Sequence, residues 1–127
     1  MKFLKQIVIA LAVTFSLGSF TQVLAAGKIE NATPEEVAAS IAGAAQKSED
    51  ALAALKNGEA DETVLELIKG ARQDSKRIEV GRLDVKRTRA AAHLKKARRA
   101  VRKGDKAQAE ASLIEAIKGY QEVKAEY

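Results

Sequence analysis

From residue 34 onward, apolar side chains recur along this chain at spacings of three and four, the period of one face of an α-helix. Val37, Ile41, Ala44, Ser48, Ala51 or Leu52, and Leu55 form a first stripe. Val64, Leu67 with Ile68, Ala71, Ser75 and Ile78 form a second, and Leu83, Arg87, Ala90, Leu94, Ala97 and Val101 a third. Ala109, Leu113, Ala116 with Ile117, Tyr120 and Val123 complete a fourth. No stretch reads as a strand. The pattern predicts an all-α domain over 34–127, a four-helix up-down bundle made of two αα-hairpins, with helices at about 34–56, 62–80, 84–103 and 106–125. Helices of about 20 residues would make it roughly 30 Å long.

The punctuation between the stripes agrees. Thr33-Pro34-Glu35-Glu36 offers an N-cap hydroxyl, proline at the first helical position and a glutamate that reaches back to complete a capping box. Lys56-Asn57-Gly58 supplies a basic last turn and a terminating glycine, and Asp61 can cap the second helix. Gly81 breaks the pattern before Asp84, a candidate cap for the third. One glycine costs only about 1 kcal/mol, so a continuous helix from 62 to 103 is the alternative there. Lys103-Gly104-Asp105 ends the third helix and caps the fourth.

Two segments look like copies. Lys56-Asn57-Gly58-Glu59 matches Arg102-Lys103-Gly104-Asp105 in type, and Leu67-Ile68-Lys69-Gly70 matches Ala116-Ile117-Lys118-Gly119, if a three-residue gap is allowed. Each copy would be a hairpin with one apolar face that it cannot bury alone. Docking the two face to face buries both stripes.

Residues 1–25 have the layout of a secretory signal peptide. Lys2 and Lys5 make a positive start, Ile7 to Ser16 an apolar run, and Val23-Leu24-Ala25 a small-residue cleavage site. The run is shorter than the roughly 20 residues of a permanent membrane anchor. No cysteine stands near the cleavage position for lipidation. The expectation is a periplasmic protein with a short linker over 26–33 and no transmembrane segment in the mature chain.

Cleavage changes the composition that matters. About 102 residues remain, one domain's worth, without Met, Phe, Trp or Cys and with Tyr120 and Tyr127 as the only aromatics. Disulfides are ruled out, so packing alone must hold the bundle. Many alanines among few large aliphatics make a narrow core, which leaves little material for a wide apolar pocket and argues against an enzyme. Haem ligation would need Met, Cys or further histidines, and a di-iron bundle would need paired Glu-Xaa-Xaa-His motifs. The mature region has neither set. No phosphate loop or convincing hydrolytic triad is present, and one tetratricopeptide-like hairpin is not an array.

Ala91-Ala92-His93-Leu94-Lys95-Lys96-Ala97, followed by Lys103-Gly104-Asp105, resembles the small metal-binding proteins of Gram-negative bacteria. The resemblance covers about residues 40–125. It implies a periplasmic four-helix bundle that binds copper and other divalent ions, largely through histidines. His93 is the one position that carries over as a metal ligand, with copper, nickel or zinc as the implied ion. The chain departs from the family in having a single histidine. Read from its own neighbours, His93 has Arg89, Ala90, Lys96 and Ala97 at helical contact spacing and no carboxylate among them. That surrounding charge disfavours a bound cation, so a half-exposed structural histidine is the alternative. The acidic clusters Glu35/Glu36, Glu49/Asp50 and Glu59/Asp61/Glu62 are alternative carboxylate sites for harder cations, although acidic residues at helix starts mostly complement the helix dipole.

Charge is strongly segregated. Residues 28–75 carry 5 basic and 10 acidic side chains, residues 76–106 carry 13 and 3, and residues 107–127 carry 2 and 4. The third helix holds most of the excess, with Arg82, Lys86, Arg87, Arg89, Lys95, Lys96, Arg98, Arg99, Arg102 and Lys103. One expectation is that Glu62, Glu66, Asp74, Glu110, Glu115 and Glu122 neutralise it across the bundle. The other is an anion-binding face built from Arg89, Lys95, Lys96, Arg98, Arg99, Arg102 and Lys103, for an anionic lipid, a polyanion or an acidic protein. Export and the lack of stacking aromatics count against nucleic acid. Arg87 falls on the apolar stripe and must snorkel outward or find an acid such as Asp84. The leading expectation from the resemblance is metal binding or buffering. The alternatives are an anion-binding module and an envelope stress or adaptor protein.

Overall fold

The computed structural model describes residues 32–127, so the expected export signal and most of the linker lie outside the described residues. Four α-helices follow in order: α1 (Pro34–Lys56), α2 (Asp61–Lys76), α3 (Asp84–Lys103) and α4 (Lys106–Glu126), with a 3₁₀ turn at Gly81–Leu83 before α3. The all-α four-helix architecture is thus present, and the described residues contain no strand.

Local chemistry sets most of the helix ends. At the start of α1 the Glu36 amide donates to Thr33 Oγ1 at 3.2 Å and the Thr33 amide donates to Glu36 Oε2 at 2.9 Å, the reciprocal capping box. The hairpin turns end their first helices alike. Glu59 N donates to Ala54 O at 3.0 Å and Asp105 N to Ala100 O at 2.9 Å, with Gly58 and Gly104 left-handed at φ 73° and 75°. This is the Schellman arrangement, which satisfies the last carbonyls and favours a residue without Cβ at that position. Asp105 also caps α4, accepting from Gln108 N at 3.1 Å.

Two expected caps are not caps. Asp61 and Asp84 are the first helical residues themselves, behind Ala60 and Leu83, and no side-chain cap bond forms at either start. They serve the helix dipole instead. The second helix is also shorter than expected. It stops at Lys76 rather than residue 80, and Val80 is extended at φ −128° and ψ 110°. A continuous helix through Gly81 is therefore excluded. Burial explains the break, because Ile78 and Leu83 on either side of it are both fully inside the core. An uninterrupted helix could not turn the chain back there and seat both.

Each helix packs against its sequence neighbours, and α4 closes the ring against α1. Contact is most extensive within the hairpins α1–α2 and α3–α4, and sparsest along the α2–α3 seam. The burial pattern makes the repeat explicit. Ala44, Ser48, Ala51, Ala54 and Leu55 of α1 are matched by Ala90, Leu94, Ala97, Ala100 and Val101 of α3, all buried. Val64, Ile68, Ala71 and Ser75 of α2 are matched by Ala109, Leu113, Ala116 and Tyr120 of α4, again all buried. The three-residue gap suggested by the Lys-Gly pairs is not needed, since Gly70 and Gly119 occupy different places in the repeat. Gly119 lets α4 approach the backbone of α3, because a Cβ there would lie 2.8 Å from Ala90 Cβ. Among the described residues, no helix is long and apolar enough to cross a membrane.

Candidate functional site

The α-helical period distributes the cations of α3 over three directions. Arg98 and Arg102, one turn apart, face α2 and line a groove along the α2–α3 seam. Lys86, Arg89 and His93 lie on the opposite flank, in a smaller groove shared with Glu115, Lys118 and Glu122 of α4. Lys95, Lys96, Arg99 and Lys103 are exposed on the outer face between them. The stripe Leu83, Ala90, Leu94, Ala97 and Val101 turns inward and holds this orientation.

The acids expected to neutralise α3, Glu62, Glu66, Asp74, Glu110, Glu115 and Glu122, form no ion pair with it among the described residues. The ion pairs of α3 among the described residues are Lys86 with Glu126 and Arg87 with Asp84, the latter at 3.4 Å. Arg82 donates to the Glu126 carbonyl at 2.6 Å. All three contacts sit at the N-terminal end. From Arg89 to Lys103 no cation has an ion-pair partner among the described residues. Asp74 is committed elsewhere, to Lys47 Nζ at 2.6 Å, in a part-buried pair whose carboxylate Gly43 makes room for. Glu62 and Glu66 line the seam and pair with no cation there.

The seam groove has a volume of about 540 Å³. Its cationic walls are Lys69, Arg72 and Lys76 from α2 and Arg98 and Arg102 from α3. Arg98 is the focus. Nearby Arg72, then desolvation, then Arg102 and Arg99, hold its guanidinium below the ordinary arginine range. Its Nε is shielded from solvent and makes no hydrogen bond. Five cations against the two carboxylates Glu62 and Glu66 leave an excess of like charge here, which raises the local potential for an anion.

The α2 half of this wall escaped the sequence reading. Residues 28–75 are acidic in sum, and that average conceals Lys69 and Arg72. The spacing Lys69, Arg72, Lys76 is a helical stripe and was the signal available. What it could not show is that this stripe faces Arg98 and Arg102.

His93 is half-buried beside Arg89 and Lys86, with Glu115, Glu122 and Lys118 across from it on α4. Three cations against two carboxylates and one imidazole do not fit a copper, nickel or zinc site, which wants several imidazole or thiolate ligands. Among the described residues no three His, Cys, Asp or Glu side chains gather as a metal-binding group. Behind the seam lies a polar core layer. Burial pushes the Tyr120 phenol up to about 12, against smaller opposing effects of Ser75, Arg87 and Arg72. Ser75 is a close neighbour, but neither its Oγ nor the Tyr120 hydroxyl completes a hydrogen bond among the described residues.

Comparison of the chain with protein-family models, curated proteins and solved structures finds no match.

Proposed function

We propose that this protein is an exported, non-enzymatic binding module that docks through α3 on an anionic surface of the cell envelope. The observation that carries the reading is the row of cations from Arg89 to Lys103, which finds no ion-pair partner among the described residues. Holding so many like charges together destabilises a folded state, and an anionic surface relieves that cost. Lys95, Arg99 and Lys103 succeed one another at one-turn intervals, so a plane can meet all three at once. Metal buffering has less support, because His93 brings one imidazole into a flank where cations outnumber carboxylates.

Flotation with phosphatidylcholine vesicles, with and without phosphatidylglycerol, tests the proposal. Each Lys or Arg near such a surface contributes about 1 kcal/mol, so Lys95→Gln/Arg99→Gln/Lys103→Gln should weaken binding by roughly two orders of magnitude. Binding should also fall steeply with added salt. Equal binding to neutral and anionic vesicles would refute the reading.

A further inference from the structure

We propose that the α2–α3 seam is a discrete binding site for the phosphoryl groups of a polyphosphorylated ligand, held between Arg72 of α2 and Arg98 and Arg102 of α3. The site deepens the anion-binding reading and rests on it, but it uses different residues from the outer face of α3. A flat lipid surface can reach Lys95, Arg99 and Lys103. The seam instead is a recess whose two walls carry charge of the same sign.

Three features select the ligand. First, the groove of about 540 Å³ falls within the size range of small-molecule sites. Second, five cations and the two carboxylates Glu62 and Glu66 line it, an excess of three positive charges. A single carboxylate or phosphodiester would leave most of that excess uncompensated, whereas linked phosphoryl groups carry enough charge to balance it. Third, three of the five cations are guanidinium groups, whose planar forks grip phosphate oxygens in pairs. Among the described residues the only apolar side chain lining the groove is Leu65, and no aromatic ring lines it.

The seam suits this use mechanically as well. It is the most sparsely contacted junction in the ring of helices. Like charges on its two walls oppose tighter closure, and Arg98 feels Arg72 more than any other neighbour. A polyanion between the walls would reverse that repulsion and tie α2 to α3. Binding should therefore stabilise the bundle as well as fill the groove.

Titration calorimetry with sodium tripolyphosphate at low ionic strength tests the site. Arg72→Gln/Arg98→Gln should weaken binding roughly tenfold or more, and Lys69→Gln/Lys76→Gln should do so to a smaller extent. Lys95→Gln/Arg99→Gln/Lys103→Gln should change it no more than about threefold. Arg98→Lys keeps the charge but loses the fork, and should bind more weakly than the parent at an unchanged melting temperature. Tripolyphosphate should raise the melting temperature of the parent and not that of Arg72→Gln/Arg98→Gln. If that double variant is poorly folded, Lys69→Gln/Lys76→Gln and Arg98→Lys decide. Vesicles containing a lipid with a bisphosphorylated headgroup identify the source of the phosphoryl groups. Displacement of tripolyphosphate by them, lost in the seam variants, assigns a lipid headgroup; tripolyphosphate binding without displacement assigns a free polyphosphate. The seam is overturned if the outer-face variant loses as much tripolyphosphate affinity as the seam variants. Absence of tripolyphosphate binding while phosphatidylglycerol vesicles still bind overturns the seam alone. Absence of both overturns the docking role of α3 with it.

Discussion

Replacing Gly119 with alanine separates what helix propensity predicts from what the packed bundle requires. Gly119 lies inside α4, where glycine is about 1 kcal/mol less favourable than alanine, so propensity alone predicts stabilisation. The structure predicts the opposite sign. A Cβ at this position would lie 2.8 Å from Ala90 Cβ and 3.3 Å from Ala90 Cα. Carbon atoms in comfortable contact sit about 3.5–4.0 Å apart, so α3 and α4 would have to separate by a sizeable fraction of an ångström. Neither obstructing atom belongs to a side chain that can rotate away. Overpacking of this kind costs about 1–3 kcal/mol, and subtracting the propensity gain leaves a net loss of about 1 kcal/mol. For a domain of this size that is a fall of about 5 °C in melting temperature. Thermal denaturation followed by circular dichroism reads it directly. Gly81→Ala is the control, because no atom lies within 4 Å of the added Cβ, and it should be neutral or slightly stabilising. Ala90→Gly should partly rescue Gly119→Ala in a double-mutant cycle, since it removes the opposing methyl. A melting temperature for Gly119→Ala at or above that of the parent would show that the helices do not approach this closely, and the packing argument would fail.

Tyr120 makes stability depend on alkaline pH. Its phenol is pushed up to about 12 in the fold, so between its ordinary value near 10 and 12 the unfolded chain releases the proton first. The contribution is fully present below pH 10 and is lost as pH rises through about 12, a total of roughly 2–3 kcal/mol. Denaturant melts across that range should show the decline in the parent and a shallower one in Tyr120→Phe; parallel curves would refute it. Calorimetric titration with Cu(II), Ni(II) and Zn(II) should show no micromolar site, for want of a second imidazole near His93. Micromolar binding that His93→Ala abolishes would restore the metal-buffering reading.

The helices themselves are local physics, and the chain displays them openly. The capping box at Thr33 and Glu36, the left-handed glycines at 58 and 104 and the three-and-four stripes need no tertiary information. Two hairpins, each with one apolar face, then have little choice but to dock. Where local signals were weak, the tertiary structure decided. Gly81 alone could mark a pause or a break, and the need to bury both Ile78 and Leu83 made it a break. Asp61 and Asp84 had the right chemistry for caps, but the chain enters α2 and α3 one residue earlier than that role requires.

The candidate site divides the same way. Composition showed that α3 is basic, and the periodicity of a helix ensured that its cations could not share one face. Which acids would answer them is a question of rotation and register between helices, and sequence spacing carries no information about either. Asp74 turned to Lys47, Glu62 and Glu66 found no ion-pair partner among the described residues, and Lys69, Arg72 and Lys76 came round to face Arg98 and Arg102. A helix encodes its own faces within a few turns of chain. The neighbour each face meets depends on how four helices pack together, and only that packing gathered these cations from α2 and α3 into one groove.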